Sequence, residues 1–197
     1  MRVDPEGSEM KTKDLVLVAL FAAIIVVLAA LPPVVLPWVP VPITLQTFGV
    51  MLTGLVLGPR RAALVLTLYV ALALIGLPVL PGGRAGWAVL MGPTGGFLLG
   101  MIPGAFVVGY LSGAFKTPAP ETTGATYRDV SRCFVASVVG GILVVYLFGV
   151  PWLAIVAKMD ITKALLAVTV FIPGDLIKAA AAAFLANQIR KARLIQA

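Results

Sequence analysis

The sequence predicts an all-α integral membrane protein, a bundle of six transmembrane helices with both termini in the cytoplasm. The 197-residue chain is 60% hydrophobic and only 12% charged, whereas soluble domains average about 45–50% apolar and about 25% charged residues. Its apolar residues fall into six segments, separated by glycine, proline and charged residues. Its 15 basic and 8 acidic residues give a net charge of +7, and their distribution predicts the orientation of the bundle.

The predicted helices are joined by connectors that are mostly rich in proline and glycine. They cover residues 15–31, 44–57, 61–75, 95–115, 131–150 and 162–189. Residues 1–14 are predicted to form a flexible cytoplasmic tail before a single membrane domain over residues 15–197. Pro32-Pro33, and no cleavage site, follows the first apolar run, which favours a spanning helix over a signal peptide. Thr44 is predicted to cap the second helix, and Pro173-Gly174 to interrupt the last.

The basic residues are distributed asymmetrically between the two sides of the predicted bundle. With a cytoplasmic N-terminus, eleven of the fifteen lie on the cytoplasmic side: Arg2, Lys11, Lys13, Arg60, Arg61, Lys116, Arg128, Arg132, Arg190, Lys191 and Arg193. The outer connectors hold Arg84, Lys158 and Lys163, and Lys178 lies within the last apolar segment. This distribution follows the positive-inside rule. The charge therefore mainly sets the topology, and no basic run with interleaved aromatics indicates nucleic-acid binding.

The composition and the motifs exclude several enzymatic mechanisms. The chain has no histidine, which rules out an imidazole base and a histidine metal site. Its single cysteine, Cys133, forms no internal disulfide and is predicted to be an inert packed thiol. Gly92-Pro-Thr-Gly-Gly96 lacks the lysine of a phosphate loop. Ile172-Pro-Gly-Asp175 lacks the glycine and the second aspartate of an intramembrane protease. We therefore expect a protein that is not an enzyme and has no cofactor.

Asp175 and Lys178 are the outstanding charged residues at membrane depth. They lie three residues apart and share a helix face. A charge at the bilayer centre costs about 2.5 kcal/mol or more, so both residues should face protein or a wet cavity. A structural ion pair and a ligand site, with a carboxylate acceptor and an ammonium donor, both fit this pattern. The Pro173-Gly174 break favours the ligand site, because a broken helix exposes backbone groups beside a cavity.

The outer connector of residues 76–94 is the second candidate for a ligand site. Gly83 and its neighbouring glycines permit close approach of the backbone to a ligand. Arg84 is the only arginine predicted on the outer side, and its guanidinium suits bidentate capture of a carboxylate. Trp87 offers an apolar wall with an N–H donor. An ordinary outer loop with an interfacial tryptophan would show the same residues, and this alternative stays open.

Two further polar side chains and two stripes of small residues complete the candidates. Gln46 and Tyr146 are polar groups toward the outer side, and each could equally be a cap or an interfacial anchor. Small residues recur at four-residue spacing at Ala19 and Ala23 in the first helix and at Gly96, Gly100 and Gly104 in the fourth. Such stripes allow close helix contact in lipid. We expect packing inside the bundle for the fourth helix and either packing or partner docking for the first.

Five strings of the sequence resemble the BioY family, the biotin-specific substrate-capture (S) components of energy-coupling factor (ECF) transporters. They are Val41-Pro-Ile-Thr-Leu-Gln-Thr47, Leu57-Gly-Pro-Arg60, Gly76-Leu-Pro-Val79 with Gly82-Gly-Arg84, Gly92-Pro-Thr-Gly-Gly96, and Pro173-Gly-Asp-Leu-Ile-Lys-Ala179. Each string alone is weak, but their order and spacing are specific. The resemblance covers nearly the whole chain after residues 1–14, although no family motif is evident in residues 116–130.

The resemblance implies a multi-pass protein of the cell membrane that binds biotin from the outside. It would work with a membrane scaffold (T) subunit and two cytoplasmic ATPases. By this resemblance, Asp175 and Lys178 would hold the ureido head of biotin, Arg84 its carboxylate, and Ala19 and Ala23 would face the scaffold. The implied biotin-binding residues are Asp175, Lys178, Arg84, Trp87, Gly83, Gln46 and Tyr146. A stand-alone ion-coupled transporter with Asp175 as its coupling carboxylate, and a non-transporting membrane scaffold, are the alternatives.

Overall fold

The computed structural model describes residues 12–113 and 123–192, although not the side chains of residues 123–128 and 191, and it is all-helical over this part of the chain. The helices are α1 (Thr12–Ala30), α2 (Gln46–Leu57), α3 (Pro59–Leu74), α4 (Trp87–Met91), α5 (Gly95–Ser112), α6 (Thr123–Ser137), α7 (Val145–Val156), α8 (Ile161–Thr169) and α9 (Ile172–Lys191). A 3-10 turn, Pro81–Gly83, precedes α4, and a π-helical segment, Val138–Val144, joins α6 to α7. Most of the predicted tail and part of the 116–130 linker lie outside the described residues.

Several helices are long and apolar enough to cross a membrane. Within the described ranges these are Thr12–Ala30, Gly95–Ser112 and the continuous helix Asp129–Val156. The α8–α9 pair makes a fourth if it is counted as one bent span. The remaining two predicted spans correspond to α2 and α3, which have 12 and 16 residues. The fold is therefore that of a multi-pass helical membrane protein, and the count of six spans stays a prediction.

The joint between α2 and α3 depends on a glycine followed by a proline. Gly58 ends α2 at φ +77°, a backbone conformation that residues with a Cβ rarely adopt. Pro59 then begins α3. Proline is favoured there because its missing N–H would be unpaired anyway. The start of α2 differs from the prediction. Thr44 does not cap this helix, which begins at Gln46, because the Thr44 hydroxyl donates to the Gln46 side-chain oxygen instead.

The fifth predicted helix is longer than its predicted range of 131–150. It runs through α6, the π-helical segment and α7 as far as Val156. Pro151 lies inside α7 and does not end it, because proline is tolerated in membrane helices where neighbouring groups satisfy the freed carbonyl. The predicted range ended at Val150, just before Pro151, whereas the helix continues to Val156.

The last predicted helix, residues 162–189, is two helices that meet at an angle of 53°. The break falls at Val170–Phe171, before the predicted site at Pro173-Gly174. Pro173 has no N–H to donate to the carbonyl of Thr169, four residues earlier, so α8 ends there and Pro173 lies in the first turn of α9. At the other end of α8, Asp160 accepts a 2.8 Å hydrogen bond from the Thr162 N–H, which lowers the pKa of this carboxyl.

The α5 helix lies at the centre of the bundle, in contact with α2, α3, α6, the π-helical segment and α7. Gly96, Gly100 and Gly104 form the stripe on which α7 and the π-helical segment pack. A Cβ at Gly96 would lie 2.3 Å from the Trp152 Cβ, and one at Gly104 would lie 2.7 Å from the Gly140 carbonyl oxygen. The predicted packing role of this stripe is thus confirmed, and it holds α5 and α7 at the distance that shapes the site.

The α1 helix buries one face against the bundle and leaves the opposite face uncovered by the described residues. Ala19 and Ala23 are both exposed on that face. Near the start of α1, Asp14 forms a 2.8 Å ion pair with Arg61 of α3. This half-buried pair ties the two helices at that end of the bundle, while Ile25 and Ala29 are fully buried further along α1.

Candidate ligand-binding site

A cavity of about 670 Å³, counted with the open space at its mouth, lies among α5, α7, α9 and two connectors. The first connector, residues 31–45, joins α1 to α2, and the second, residues 75–86, joins α3 to α4 and carries Arg84. Its lining residues are Val41, Pro42, Ile43, Thr44, Gln46, Thr47, Leu80, Pro81, Arg84, Val89, Thr94, Phe97, Leu98, Met101, Val145, Tyr146, Phe171, Asp175 and Lys178. Most are apolar, and the polar groups cluster at the start of α2 and the start of α9.

Asp175 is the buried acceptor of this cavity, with only 2% of its surface exposed. The Thr47 hydroxyl donates to its Oδ1 at 3.0 Å, and the Tyr146 hydroxyl donates to its Oδ2 at 2.6 Å. The Lys178 ammonium lies 2.9 Å from Oδ1, as the three-residue spacing predicts. Because the sharp bend between α8 and α9 puts Asp175 in the first turn of α9, the positive end of that helix dipole further favours the carboxylate.

Lys178 uses all three of its N–H groups within the protein. It donates to the Thr44 carbonyl oxygen at 2.6 Å, to the Thr47 hydroxyl at 3.2 Å and to Asp175 at 2.9 Å. A carboxylate has about four lone-pair positions, and Asp175 uses three of them in these contacts. The pair is thus neutralised and well bonded within the protein, with one acceptor position left on the carboxylate.

Aromatic and aliphatic side chains form the wall of the cavity beside this pair. The ring of Phe97 meets that of Tyr146 edge to face, with centroids 5.9 Å apart. Offset and edge-on arrangements of this kind stabilise aromatic pairs. Met101 and Val145 continue the apolar wall. Beside the charged pair, the cavity therefore offers an apolar slot for a ring or an alkyl chain.

Arg84 lines the cavity from the outer connector. The 3-10 turn positions it: the Leu80 N–H donates to the Arg84 carbonyl oxygen at 3.2 Å, and the Arg84 Nε donates to the Pro81 carbonyl oxygen at 3.1 Å. Its side chain makes no other hydrogen bond with the described residues. The two terminal amino groups are thus available to an acidic group of a ligand, in the planar geometry that suits a carboxylate.

Gln46 is 6% exposed and bonded on both sides of its amide. Its oxygen accepts from the Thr44 hydroxyl at 3.1 Å, and its nitrogen donates to the Tyr69 hydroxyl at 2.7 Å. Tyr69, fully buried in α3, in turn donates to the Val79 carbonyl oxygen at 3.0 Å. Gln46 therefore lines the cavity, but its polar atoms bond to Thr44 of the first connector and, through Tyr69, link it to the second.

Two of the predicted site residues are outside the cavity lining. Trp87 begins α4 and is 63% exposed. Gly83 lies in the 3-10 turn at φ +71°, where its N–H donates to the Leu80 carbonyl oxygen at 2.9 Å. Gly83 thus shapes the turn that carries Arg84. The other predicted ligand residues, Asp175, Lys178, Arg84, Gln46 and Tyr146, all line the same cavity.

Sequence reasoning missed three residues that complete the site. Thr47 donates directly to Asp175, Tyr69 joins the connectors, and Phe97 supports Tyr146. A signal for Tyr69 was present, since a phenol in the middle of an apolar helix needs a hydrogen-bond partner when it is buried. Thr47 and Phe97 gave none, because their partners are 128 and 49 residues away in the sequence.

The chain matches the model of the BioY family over residues 3–194. It is 51% identical over 180 residues to "Biotin transporter BioY" of Rhizobium etli, a match that covers 91% of this chain and 94% of that protein. It is 38% identical to "Probable biotin transporter BioY" of Bacillus subtilis, covering 93% of each chain.

A solved structure has the same fold. The crystal structure at 2.1 Å of the S-component for biotin from an ECF-type ABC transporter superposes with a TM-score of 0.81 and 32% sequence identity. The match covers 93% of this chain and 95% of that one. The family model matches nearly the whole sequence, and the two relatives are 51% and 38% identical to this chain. These matches establish the family of the chain. The chain is a member of the BioY family.

Proposed function

We propose that this protein is the biotin-binding subunit of an ECF-type transporter and takes part in biotin uptake. The observation that carries the proposal is the cavity in which Asp175 and Lys178 face an apolar slot that also receives Arg84. Biotin has a cyclic urea at one end, an apolar ring and chain, and a carboxylate at the other end. Relatives named as biotin transporters support the same ligand.

The ureido head fits the Asp175–Lys178 end of the cavity. A urea N–H donates to the acceptor position that Asp175 keeps free, and the urea carbonyl accepts from Lys178. Because all three N–H groups of Lys178 already have partners, the ligand carbonyl displaces the Thr44 carbonyl or the Thr47 hydroxyl. Exchange of one hydrogen bond for another costs little, so both charges remain satisfied in the complex.

The valerate carboxylate fits Arg84. The terminal amino groups of this guanidinium have no other hydrogen-bond partner among the described residues, and a bidentate pair adds geometric selection to charge attraction. Phe97, Met101 and Val145 line the slot between the two polar ends. Tyr146 acts on the ligand indirectly, by its hydrogen bond to Asp175. Gln46 also acts indirectly, by its hydrogen bond to Tyr69, which holds the connector that carries Arg84.

We further propose six spans in one membrane domain of residues 15–197, with both termini cytoplasmic, in the cell membrane. The excess of basic residues on one side of this topology supports it. Labelling with a membrane-impermeant maleimide tests it in a Cys133→Ala background. Lys158→Cys should react in intact cells, and Ala192→Cys only after permeabilisation. The reverse pattern would contradict the orientation.

The exposed face of α1 supports the proposed partners, a scaffold (T) subunit and two ATPases. Ala19 and Ala23 leave a shallow strip on which another membrane helix can pack closely. The same face would otherwise contact lipid. Ala19→Leu with Ala23→Leu should therefore reduce co-purification with a scaffold subunit without changing biotin affinity. Unchanged co-purification would exclude this face from the interface.

Biotin binding by the purified protein is the primary test. We expect biotin to co-purify with the detergent-solubilised chain, and calorimetry on ligand-free protein to show saturable binding with a preference over biotin amide. Failure of folded protein to bind biotin would refute the proposal. Biotin uptake by proteoliposomes that hold this chain alone, collapsed by an ionophore, would instead indicate an ion-coupled transporter.

A further inference from the structure

We infer that Tyr69 is a positioning residue for ligand binding: it holds the Arg84 connector in register with the Asp175–Lys178 end of the cavity. The inference rests on the proposed biotin function and names a residue that does not itself line the cavity. Tyr69 is fully buried in α3, and its hydroxyl is the point at which two chain segments meet.

A series of hydrogen bonds joins the two polar ends of the cavity. Lys178 donates to the carbonyl of Thr44 at 2.6 Å, and the hydroxyl of Thr44 donates to Gln46 at 3.1 Å. Gln46 donates to the Tyr69 hydroxyl at 2.7 Å, which donates to the Val79 carbonyl at 3.0 Å. The residue after Val79, Leu80, pairs with the backbone of Arg84.

The Tyr69 hydroxyl links α3 to the Arg84 connector (residues 75–86) through a side-chain hydrogen bond to the Val79 carbonyl. Backbone hydrogen bonds also hold this connector to α3. The N–H groups of Gly76 and Leu77 donate to the Ala73 and Leu72 carbonyls at 3.2 and 3.1 Å where the connector leaves the helix, and the Gly86 N–H donates to the Ala73 carbonyl at 2.7 Å. Without the phenol oxygen, the Val79 carbonyl and the Gln46 amide would each lose a buried partner, which favours other positions of both connectors. Arg84 would then sample orientations in which its guanidinium misses the ligand carboxylate.

A double-mutant cycle tests whether Tyr69 acts through Arg84. We expect Tyr69→Phe to weaken biotin binding by about tenfold, mainly through faster dissociation. Its effect on biotin amide should be smaller, because that ligand lacks the charge that Arg84 recognises. In an Arg84→Ala background, Tyr69→Phe should cause little further loss, since coupled residues are not additive. Tyr110→Phe, on an exposed tyrosine of α5, is the matched control.

Fully additive losses would overturn the inference, as would a lower Tm for Tyr69→Phe with unchanged affinity for biotin. Equal losses for biotin and its amide would also overturn it. If the wild-type protein does not bind biotin, the proposed function fails together with this inference. Normal wild-type binding with an additive cycle refutes only the role of Tyr69.

Hydrogen exchange of the wild-type protein provides a second measurement if Tyr69→Phe fails to fold. The amides of Leu80 and Gly86 are bonded within the connector and to α3. Biotin should increase their protection, whereas biotin amide should increase it less. Equal protection with both ligands, or none, would show that the connector is not held in register with the carboxylate site.

Discussion

Replacement of Asp175 by asparagine separates a ligand site from a structural ion pair. Asparagine keeps the shape of the side chain but replaces one acceptor oxygen by a donor and removes the charge. Its remaining oxygen can accept from Lys178 and Thr47, with the amide nitrogen toward the Tyr146 hydroxyl, so the local contacts can persist. The charge-assisted acceptor for a ligand N–H is lost.

The magnitude follows from these contacts. A hydrogen bond to a charged group contributes about 1.5–3 kcal/mol, which corresponds to about a 10- to 150-fold loss of biotin affinity. The Lys178 side chain is only 11% exposed, so loss of its counter-ion also destabilises the fold, by about 3–5 kcal/mol for a fully buried pair. We therefore expect both a weaker complex and a lower Tm.

Calorimetry and thermal unfolding in detergent measure the two effects separately. Asp160→Asn is the matched control, because Asp160 is an exposed cap of α8 outside the cavity and asparagine caps helices about as well as aspartate. In the double variant Asp175→Asn with Lys178→Met, the charges are balanced again. Stability should partly recover while affinity stays low. Recovery of both would mean a purely structural pair, and unchanged affinity in folded Asp175→Asn would exclude this residue from the site.

Three further predictions concern the other residues of the site and the packing around it. Arg84→Ala should weaken biotin by about tenfold or more but biotin amide by less, and equal losses in calorimetry would contradict the carboxylate contact. Tyr146→Phe removes the 2.6 Å bond to Asp175 and should lower biotin affinity by about fivefold with the fold retained; unchanged affinity would exclude a role through Asp175. Gly54→Ala places a Cβ 2.7 Å from Val108 and should destabilise the protein by about 1–3 kcal/mol, whereas Gly174→Ala, with nothing within 4 Å of its Cβ, should not lower the Tm.

Local sequence determined much of the secondary structure, because apolar runs and prolines act on the backbone around them. The approximate positions of the first four apolar helices could be predicted, whereas the fifth is longer than predicted and the last is two helices. The three-residue spacing of Asp175 and Lys178 also predicted their contact, since it is set by the helix alone. The family was indicated by the order and spacing of five short sequence strings, not by helical periodicity.

Whether each predicted site residue lines the cavity depended on segments that are distant in the sequence. The bend at Val170–Phe171 follows locally from Pro173, whereas the continuation of α7 past Pro151 requires neighbouring groups that satisfy the freed carbonyl. Tertiary structure also placed Trp87 outside the cavity lining and gave Gln46 a partner in Tyr69. Such contacts join residues that no local pattern relates.

The sequence by itself therefore determined a helical membrane protein with one charged pair and one outer arginine set apart from the topological charges. Only the tertiary structure decided that these groups share a cavity with Thr47, Tyr146 and Phe97. The physical reason is the sequence separation of the interacting residues. Helix formation and membrane insertion depend on residues that are close in the sequence, whereas a binding site depends on side chains that come together only when the helices pack.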